Sequence, residues 1–299
     1  MPRSRLVVAA IALITAAATC TSTHPESVAP PPVTAIIGDA TSPTTADGAG
    51  DQATTSSTEA TTSSPSLTRP DWLGQRVLTT DETGFAPAQD TPPELVDRQL
   101  PTIDTLPAPI DGRFHATVEA LAGEPLERST WEEGCPVEPA DLRYLTMSFW
   151  GFDGAVHTGE MIVHADAARG IVDVFEALFE ARFPIEEMRV VTPADLDAPP
   201  TGDGNNTSAF VCRAVTGGTS FSQHAYGLAV DVNPFLNPYL RGDLVLPELS
   251  TAYLDRERGL PGMIEPGSVA VEAFAAMGWS WGGDWESLKD WQHFSHNGR

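Results

Sequence analysis

Two short stretches of the chain pair a histidine with a carboxylate at spacings that suit a metal centre. In the first stretch His224 precedes Asp231 by seven residues, and in the second Asp290 precedes His293 by three. Imidazole nitrogens and carboxylate oxygens are ordinary zinc ligands, and three such ligands leave a fourth tetrahedral position open for water. A zinc-held water with a nearby carboxylate base can attack a peptide carbonyl. These residues therefore indicate hydrolytic chemistry.

His224 and Asp231 can share an ion only if the chain turns between them. Seven residues of straight strand would separate the two side chains by about 23 Å, and a helix would separate them by about 10 Å along its axis. Gly227 is where a turn can occur, since glycine adopts backbone angles that other residues avoid. Residues 228–232 are then interpreted as a buried strand that presents Asp231.

Asp290 and His293 are close enough in sequence to act on one water. One helical turn or a tight loop would place them on the same side, with Cβ atoms roughly 5 to 6 Å apart. His293 then supplies a ligand, and Asp290 accepts a proton. His296 is the alternative ligand. Asp284 is the alternative base, although it fits better as a structural carboxylate near the site.

The composition excludes some classes of function. Asp and Glu number 41 against 17 Lys and Arg, which gives a net charge of -24. Such a chain repels phosphate backbones and offers none of the basic patches that nucleic-acid binding needs, so we expect no nucleic-acid partner. Hydrophobic residues make up 41% of the 299 residues, which is enough to bury a core. We expect a monomer.

The N-terminus predicts export. Arg3 and Arg5 precede an apolar run at residues 6–18, a pattern typical of a secretion signal over residues 1–20. The residues before Cys20 resemble a bacterial lipoprotein cleavage site, which predicts lipidation of Cys20 and a lipid anchor in the membrane. Secretion without a lipid is the alternative. In either case we expect an extracytoplasmic protein of the cell envelope.

Composition also divides the rest of the chain. Residues 21–69 are rich in Thr, Ser, Ala and Pro, so they cannot form a core and predict a disordered linker. Residues 70–110 are proline-rich around a few apolar side chains and predict an extension packed on the domain. The domain itself is expected at residues 111–299.

Two cysteines remain once Cys20 is set aside. Cys135 and Cys212 form an even pair in an exported chain, which predicts a disulfide. Closing a loop of that length stabilises by roughly 4 kcal/mol in the chain-entropy model. A catalytic cysteine is the alternative, but neither residue lies in a recognisable nucleophile motif.

The first regular elements are predicted within the domain. Residues 142–149 and a second run that ends at Val163 are rich in β-formers, and residues 151–154 have turn chemistry, so we expect a hairpin. Apolar residues at helical spacing then predict a helix, with Asp166 as its cap and Pro184 beyond its end.

Later elements complete the expected fold class. Residues 185–191 predict a strand, and Asn205 and Asn206 are interpreted as turn residues. Ser268 and Gly278 delimit a second helix, as its cap and its terminator. Strand pairs and helices in this order indicate an α+β fold with an antiparallel sheet.

The two histidine stretches resemble the M15 metallopeptidases of D-alanyl-D-alanine carboxypeptidase and L-alanyl-D-glutamate endopeptidase type. The family pattern is Ser-x-His-x-x-Gly-x-Ala-x-Asp, followed later by an acidic residue three before a final histidine. The residues that match are Ser222, His224, Gly227, Ala229, Asp231, Asp290 and His293. One departure is Ser295, where the family often has glutamate.

The resemblance implies a role for each matching residue. It implies that zinc is held by His224, Asp231 and His293. It also implies that Asp290 is the base. Residues 205–213 are similar to the family block whose arginine contacts the substrate or its developing oxyanion, which implies that role for Arg213. Ser222 and Arg213 are the predicted substrate-binding residues.

The resemblance covers about residues 135–294 and implies the fold and the activity. The implied fold is a hedgehog/DD-peptidase-like α+β fold with a central antiparallel sheet flanked by helices. The implied activity is Zn²⁺-dependent hydrolysis of peptidoglycan stem peptides, either by trimming a terminal D-alanine or by cutting within the stem. A non-catalytic cell-wall binding module is the alternative, against which Asp290 argues. A Ser-His-Asp hydrolase is disfavoured, because the sequence lacks a Gly-x-Ser-x-Gly elbow.

Overall fold

A computed structural model describes residues 68–82, 84–215 and 218–299 of the chain. The predicted secretion signal, the lipidation site Cys20 and the predicted linker up to residue 67 lie outside the described residues. Within the described part, no helix combines the length and the apolar character that crossing a bilayer requires.

The described chain contains eleven short strands and four α-helices. The strands are β1 (Ala116–Ala120), β2 (Leu142–Trp150), β3 (Val156–His164), β4 (Glu187–Met188), β5 (Asn206–Thr207), β6 (Ala229–Asp231), β7 (Tyr239–Arg241), β8 (Leu244–Leu246), β9 (Ser280–Trp281), β10 (Lys289–Asp290) and β11 (His293–Ser295). The α-helices are α1 (Gly123–Glu127), α2 (Ala168–Glu180), α3 (Pro193–Asp197) and α4 (Val269–Ala276). Short 3-10 turns lie at Pro93–Leu95, Pro139–Asp141, Gln223–Tyr226, Thr251–Leu254, Arg256–Arg258 and Gly282–Asp284.

The predicted hairpin is confirmed and forms the longest strand pair in the described chain. Strands β2 and β3 pair antiparallel from Leu142 opposite His164 to Trp150 opposite Val156. Gly151 donates a backbone hydrogen bond to the Ala155 carbonyl, which closes the turn. Strand β1 adds to the free edge of β2.

The first predicted helix is also confirmed, but its predicted cap is wrong. Helix α2 begins at Ala168, its N-cap position is Ala167, and no side chain caps it. Asp166 instead lies exposed before the helix, and its backbone N–H donates to the His164 ring. The helix ends at Glu180, before Pro184, and its apolar face packs on the hairpin in the main core.

The second predicted helix, α4, packs against α2 in the same core. Ser268 is its N-cap by position, although its hydroxyl makes no capping hydrogen bond. Gly278 follows the helix with φ +85°, a left-handed conformation that suits glycine, as predicted.

The predicted strand at residues 185–191 is mostly wrong. Only β4 is extended into a ladder, and it pairs parallel with β5. The residue before β4 has a different partner, since buried Glu186 forms an ion pair with Arg98. Asn206 lies in β5 and Asn205 is fully buried, so the interpretation of both as turn residues is wrong: their side chains satisfy buried backbone groups instead.

The α+β class with antiparallel sheets is confirmed. The strands do not form one continuous central sheet, however. They are divided among three antiparallel three-stranded sheets, ordered β1-β2-β3, β10-β7-β8 and β6-β11-β9, and the parallel pair β4-β5. Many strands contain only two or three residues, which is too short to form a large sheet.

The segment interpreted as an extension packs on the long stretch between β6 and α4. Its buried leucines join a second apolar cluster with Phe235, Leu249 and Tyr253. Arg69, the last residue of the predicted linker, also contacts the domain, since its guanidinium donates a hydrogen bond to Glu186. The packing of this segment determines one side of the cleft described below.

Candidate metal centre

Two of the candidate ligands are brought together by strand pairing. Strands β6 and β11 run antiparallel, with Asp231 directly opposite His293. Directly opposed residues in such a pair have Cβ atoms about 4.5 to 5.5 Å apart. The two histidine stretches of the sequence, far apart along the chain, therefore meet at this register position.

His224 reaches the same point through the turn at Gly227, where the sequence predicted one. The 3-10 turn Gln223–Tyr226 carries His224, and Gly227 follows it with φ +67°. A Cβ at Gly227 would lie 2.6 Å from the His164 backbone nitrogen. Only glycine fits this position, because the backbone is left-handed and packs directly on the end of β3.

The three candidate ligands form a tight cluster. His293 Nδ1 lies 2.9 Å from Asp231 Oδ1, and His224 Nε2 lies 3.2 Å from Asp231 Oδ2. The two imidazole nitrogens are 3.3 Å apart. Two ligand atoms about 2.0 to 2.1 Å from a tetrahedral zinc ion lie roughly 3.3 Å from each other. The cluster therefore fits a zinc ion in both donor type and spacing.

The other nitrogen of each imidazole faces a backbone carbonyl. His224 Nδ1 is 2.6 Å from the Ala209 carbonyl oxygen, and His293 Nε2 is 3.3 Å from that of Arg299. A ring nitrogen that donates to a carbonyl leaves the opposite nitrogen free to bind a cation. Both rings are thereby oriented with their free nitrogens toward Asp231.

The electrostatics of the cluster favour a cation. Burial alone would raise the pKa of Asp231, but the charges and hydrogen bonds of His224 and His293 outweigh it and hold this pKa well below the ordinary range. Burial would lower the pKa of His293, but the hydrogen bond to Asp231 and the charges of Asp231 and Asp290 together outweigh burial and raise the pKa to about 9. The charged carboxylate thus attracts positive charge.

Asp290 lies at the end of β10, one two-residue turn before β11. Its backbone pairs with Tyr239 of β7, and its Oδ1 is buried without a hydrogen-bond partner in the described chain. Burial raises the pKa of Asp290 to about 7, and the Asp231 charge adds to this effect, while His293 and a hydrogen bond with Gln292 oppose it. A carboxylate with a pKa near neutrality suits a general base.

The Asp290 backbone also packs closely against Gly282. A Cβ placed on Gly282 would lie 2.6 Å from the Asp290 carbonyl oxygen and 2.9 Å from its Cβ. Gly282 has an ordinary negative φ, so space rather than backbone conformation requires glycine here. The close approach holds the Asp290 backbone in place.

Arg213 is held at the edge of the same cleft. The preceding residue, Cys212, forms a disulfide with Cys135, and the Arg213 carbonyl accepts a hydrogen bond from the Ser222 backbone N–H. The Arg213 guanidinium donates to the Ala214 carbonyl and pairs with no carboxylate in the described chain. It therefore keeps donors for a ligand, and its charge lowers the pKa of Asp290.

Of the other predicted residues, Ser222 lines the cleft, whereas His296 and Asp284 are exposed. The Ser222 hydroxyl lines the cleft and accepts a hydrogen bond from the His224 backbone N–H, so it supports a ligand-bearing turn. His296 is exposed and lies outside the ligand cluster. Asp284 is exposed on the turn Gly282–Asp284. Both are poorer candidates than His293 and Asp290.

Two contacts in the site were not predicted from the sequence. Gln292 hydrogen-bonds to the Asp290 side chain; its polar side chain between two candidate residues could have indicated this role. The carbonyl of Ala209 orients His224, and a backbone group carries no signal in the residue type.

The cluster opens into one large cleft of about 1610 Å³. Trp285 forms part of its wall, with its ring centroid 5.5 Å from that of His293. Fold and site together define a mixed α+β protein with a candidate metal-ligand cluster of two histidines and an aspartate, next to a buried carboxylate.

Comparison with known proteins agrees with this class. Residues 216–296 match the family model described as D-alanyl-D-alanine carboxypeptidase. The match supports an M15 family peptidase, as the motifs predicted, and the matched segment includes the ligand cluster and Asp290. Arg213 and the extension lie outside it. No curated protein and no solved structure matched the chain.

Proposed function

We propose that this protein is a zinc-dependent peptidase that hydrolyses a peptide bond in the stem peptide of peptidoglycan. The observation that best supports the proposal is the convergence of three zinc-type ligand atoms within 4.8 Å of one another beside the buried, unpartnered Oδ1 of Asp290. A buried carboxylate oxygen without a hydrogen-bond partner calls for an explanation, and proton transfer supplies one.

The three ligands would hold the ion through His224 Nε2, the Asp231 carboxylate and His293 Nδ1. When bound, zinc lowers the pKa of a water and polarises the substrate carbonyl. The Ala209 carbonyl and strand β11 keep the imidazoles oriented for this role. One carboxylate and two neutral imidazoles leave a net positive charge at the ion, which favours a developing oxyanion.

Asp290 is the proposed base. Its Oδ1 accepts a proton as water attacks the scissile carbonyl carbon, and the same oxygen then returns the proton to the leaving amine as the C–N bond breaks. Gly282 and Gln292 position the carboxylate for both transfers.

Arg213 is the proposed electrophilic residue. Its guanidinium donates to the carbonyl oxygen as negative charge develops there, or to the terminal carboxylate of the substrate. The Ser222 hydroxyl accepts a hydrogen bond from the His224 backbone N–H, and we propose that Ser222 also contacts the substrate directly.

We propose a hedgehog/DD-peptidase-like arrangement for the domain at residues 111–299. We also propose extracytoplasmic action, after export by residues 1–20 and with a lipid on Cys20. A monomer on a linker at residues 21–69 would reach the cell wall from the membrane.

The direct test is zinc analysis combined with digestion of purified peptidoglycan, followed by mass spectrometry of the products. We expect about one zinc per chain and loss of a terminal alanine or release of a cut stem. Asp290→Asn should keep the zinc and lose at least a hundredfold in kcat. Asp284→Asn is the matched control, since its carboxylate is exposed on the same segment. Full activity of Asp290→Asn would reject the mechanism, and intact stems after treatment with the wild-type protein would favour a binding module.

A further inference from the structure

Residues 69–100 form one side of the cleft that contains the candidate metal ligands. Leu73 and Phe85 line this cleft together with the ligand cluster. The segment lies more than a hundred residues before the matched range 216–296. A wall of the cleft therefore comes from a part of the chain to which the family match assigns nothing.

The segment is fixed by a buried ion pair. Arg98 is 2% exposed, and its guanidinium makes two hydrogen bonds, of 2.7 and 2.8 Å, with the two carboxylate oxygens of Glu186. The same guanidinium donates to the Asp203 carbonyl at 2.7 Å. Bidentate pairs of this kind combine strength with fixed orientation, so this end of the segment has one position relative to the domain.

The segment also fits closely against the cleft loop at residues 198–205. Gly74 donates its backbone N–H to Asp203 Oδ2 at 2.8 Å, and Leu78 donates to the Pro200 carbonyl at 2.9 Å. A Cβ on Gly202 would lie 2.6 Å from Leu78 Cδ1. Loop and segment are thus in close contact at Gly202 and form a continuous wall.

Phe85 lies on the cleft side of this wall. Its carbonyl accepts a hydrogen bond from the Asp81 backbone N–H at 2.8 Å, and its own N–H donates to the Asp81 carboxylate at 3.2 Å. Shortly after it, Gln89 donates to the Glu248 carbonyl at 2.9 Å. Phe85 belongs to none of the buried apolar clusters of the described chain, although its backbone is held on both sides. Its partly exposed side chain lines the cleft and does not contribute to the packing of the core.

We propose that residues 69–100 are a substrate-binding wall, in which Phe85 and Leu73 contact apolar side chains of the stem peptide. This inference rests on the proposed function. The wall is continuous with the cleft at the ligand cluster, and the cleft volume of about 1610 Å³ exceeds the roughly 300 to 1,000 Å³ of a typical small-molecule site. A cleft of this size accommodates an extended peptide, and Phe85 and Leu73 offer apolar contacts to its methyl and alkyl side chains.

The test is the steady-state hydrolysis of a soluble stem pentapeptide that ends in D-alanyl-D-alanine, with products quantified by mass spectrometry. Phe85→Ala should raise KM roughly five- to tenfold and leave kcat within about twofold, because the ring contributes binding that is equal in the ground and transition states. Val77→Ala is the matched control, since Val77 lies in the same segment, is 62% exposed and does not line the cleft. Its KM should equal that of the wild type.

Hydrogen exchange gives a second measurement that needs no change in the wall. The Asp290→Asn protein with saturating pentapeptide should gain amide protection at residues 84–89 and 200–203, in addition to the segments around the ligand cluster. An unchanged KM in Phe85→Ala, or protection confined to the ligand cluster, would reject the substrate-binding role of residues 69–100 and leave the proposed function unaffected. Failure of the proposed function would appear separately, as full activity of Asp290→Asn or as no cleavage by the wild type.

Discussion

Asp231 and His293 face each other across two antiparallel strands, with Asp231 Oδ1 2.9 Å from His293 Nδ1. A register shift of one residue in this pair would turn one side chain to the opposite face of the sheet. The candidate metal centre therefore depends on strand register as much as on residue type.

Removal of the Asp231 charge should weaken zinc binding. Asp231→Asn keeps the shape of the side chain but loses the carboxylate that both imidazoles face. We expect at least a hundredfold loss of zinc affinity, since even residues that only support zinc ligands contribute ten- to a hundredfold. Competition with a chromophoric chelator measures this. Asp284→Asn should bind zinc like the wild type, and equal affinity in the Asp231 variant would exclude Asp231 as a ligand.

Gly227→Ala should destabilise the fold at the ligand-bearing turn. The substitution forces a left-handed residue and places a Cβ 2.6 Å from the His164 nitrogen. Strain and overpacking together should lower the free energy of unfolding by roughly 2 to 4 kcal/mol.

Gly154→Ala separates the two contributions to that loss. Gly154 also has positive φ, +75°, but open space around its Cβ position, so we expect a loss of only about 1 kcal/mol. Urea denaturation followed by tryptophan fluorescence measures both variants. Equal losses would mean that the contact with β3 contributes nothing.

Gly282→Ala should impair catalysis without loss of metal. The new Cβ would push on the Asp290 backbone, and a displacement of even 1 Å at a base can reduce kcat by about a hundredfold. Gly204→Ala, at a cleft position with open space, should retain wild-type kcat. Zinc content should stay near one per chain in both proteins, and a loss of zinc in Gly282→Ala would mean that the strain reaches the ligands.

The disulfide should stabilise the fold and hold Arg213 in position. Cys135 and Cys212 are 77 residues apart, and opening a loop of this size costs about 4 kcal/mol in the chain-entropy model. The double variant Cys135→Ser/Cys212→Ser should unfold at lower urea and show a reduced kcat, because Arg213 follows Cys212 directly. A stable double variant with wild-type kcat would show that the cross-link does not position Arg213.

The turn, the hairpin and the two longer helices could be predicted from the sequence, because interactions between residues near in sequence determine them. The turn at Gly227 follows from the conformational freedom of glycine, and the hairpin and two helices follow from alternation and helical spacing of apolar residues. The pairing of β6 with β11 could not be predicted from spacing, because three-residue strands carry little register information and their partner lies far along the chain. The family resemblance joined those two stretches around one ion.

The failures in prediction have similar causes. The expected strand at residues 185–191 is interrupted, because Glu186 and Arg189 meet partners distant in sequence. Asp166 does not cap α2, because the helix begins at Ala168 and its N-cap position is Ala167. The side of the cleft formed by Phe85 was hidden in a proline-rich segment with no periodic pattern.

The Arg98–Glu186 pair affects how much of the chain must be expressed together for a stable fold. Glu186 is buried and receives its cation from 88 residues upstream. A fragment trimmed to start at residue 111, or at the matched range, would bury an uncompensated carboxylate or lack it altogether, and breaking such a pair costs about 3 to 5 kcal/mol. Stable folding therefore requires more of the chain than residues 111–299, and a fragment that starts at residue 111 should have a lower free energy of unfolding than one that includes Arg98.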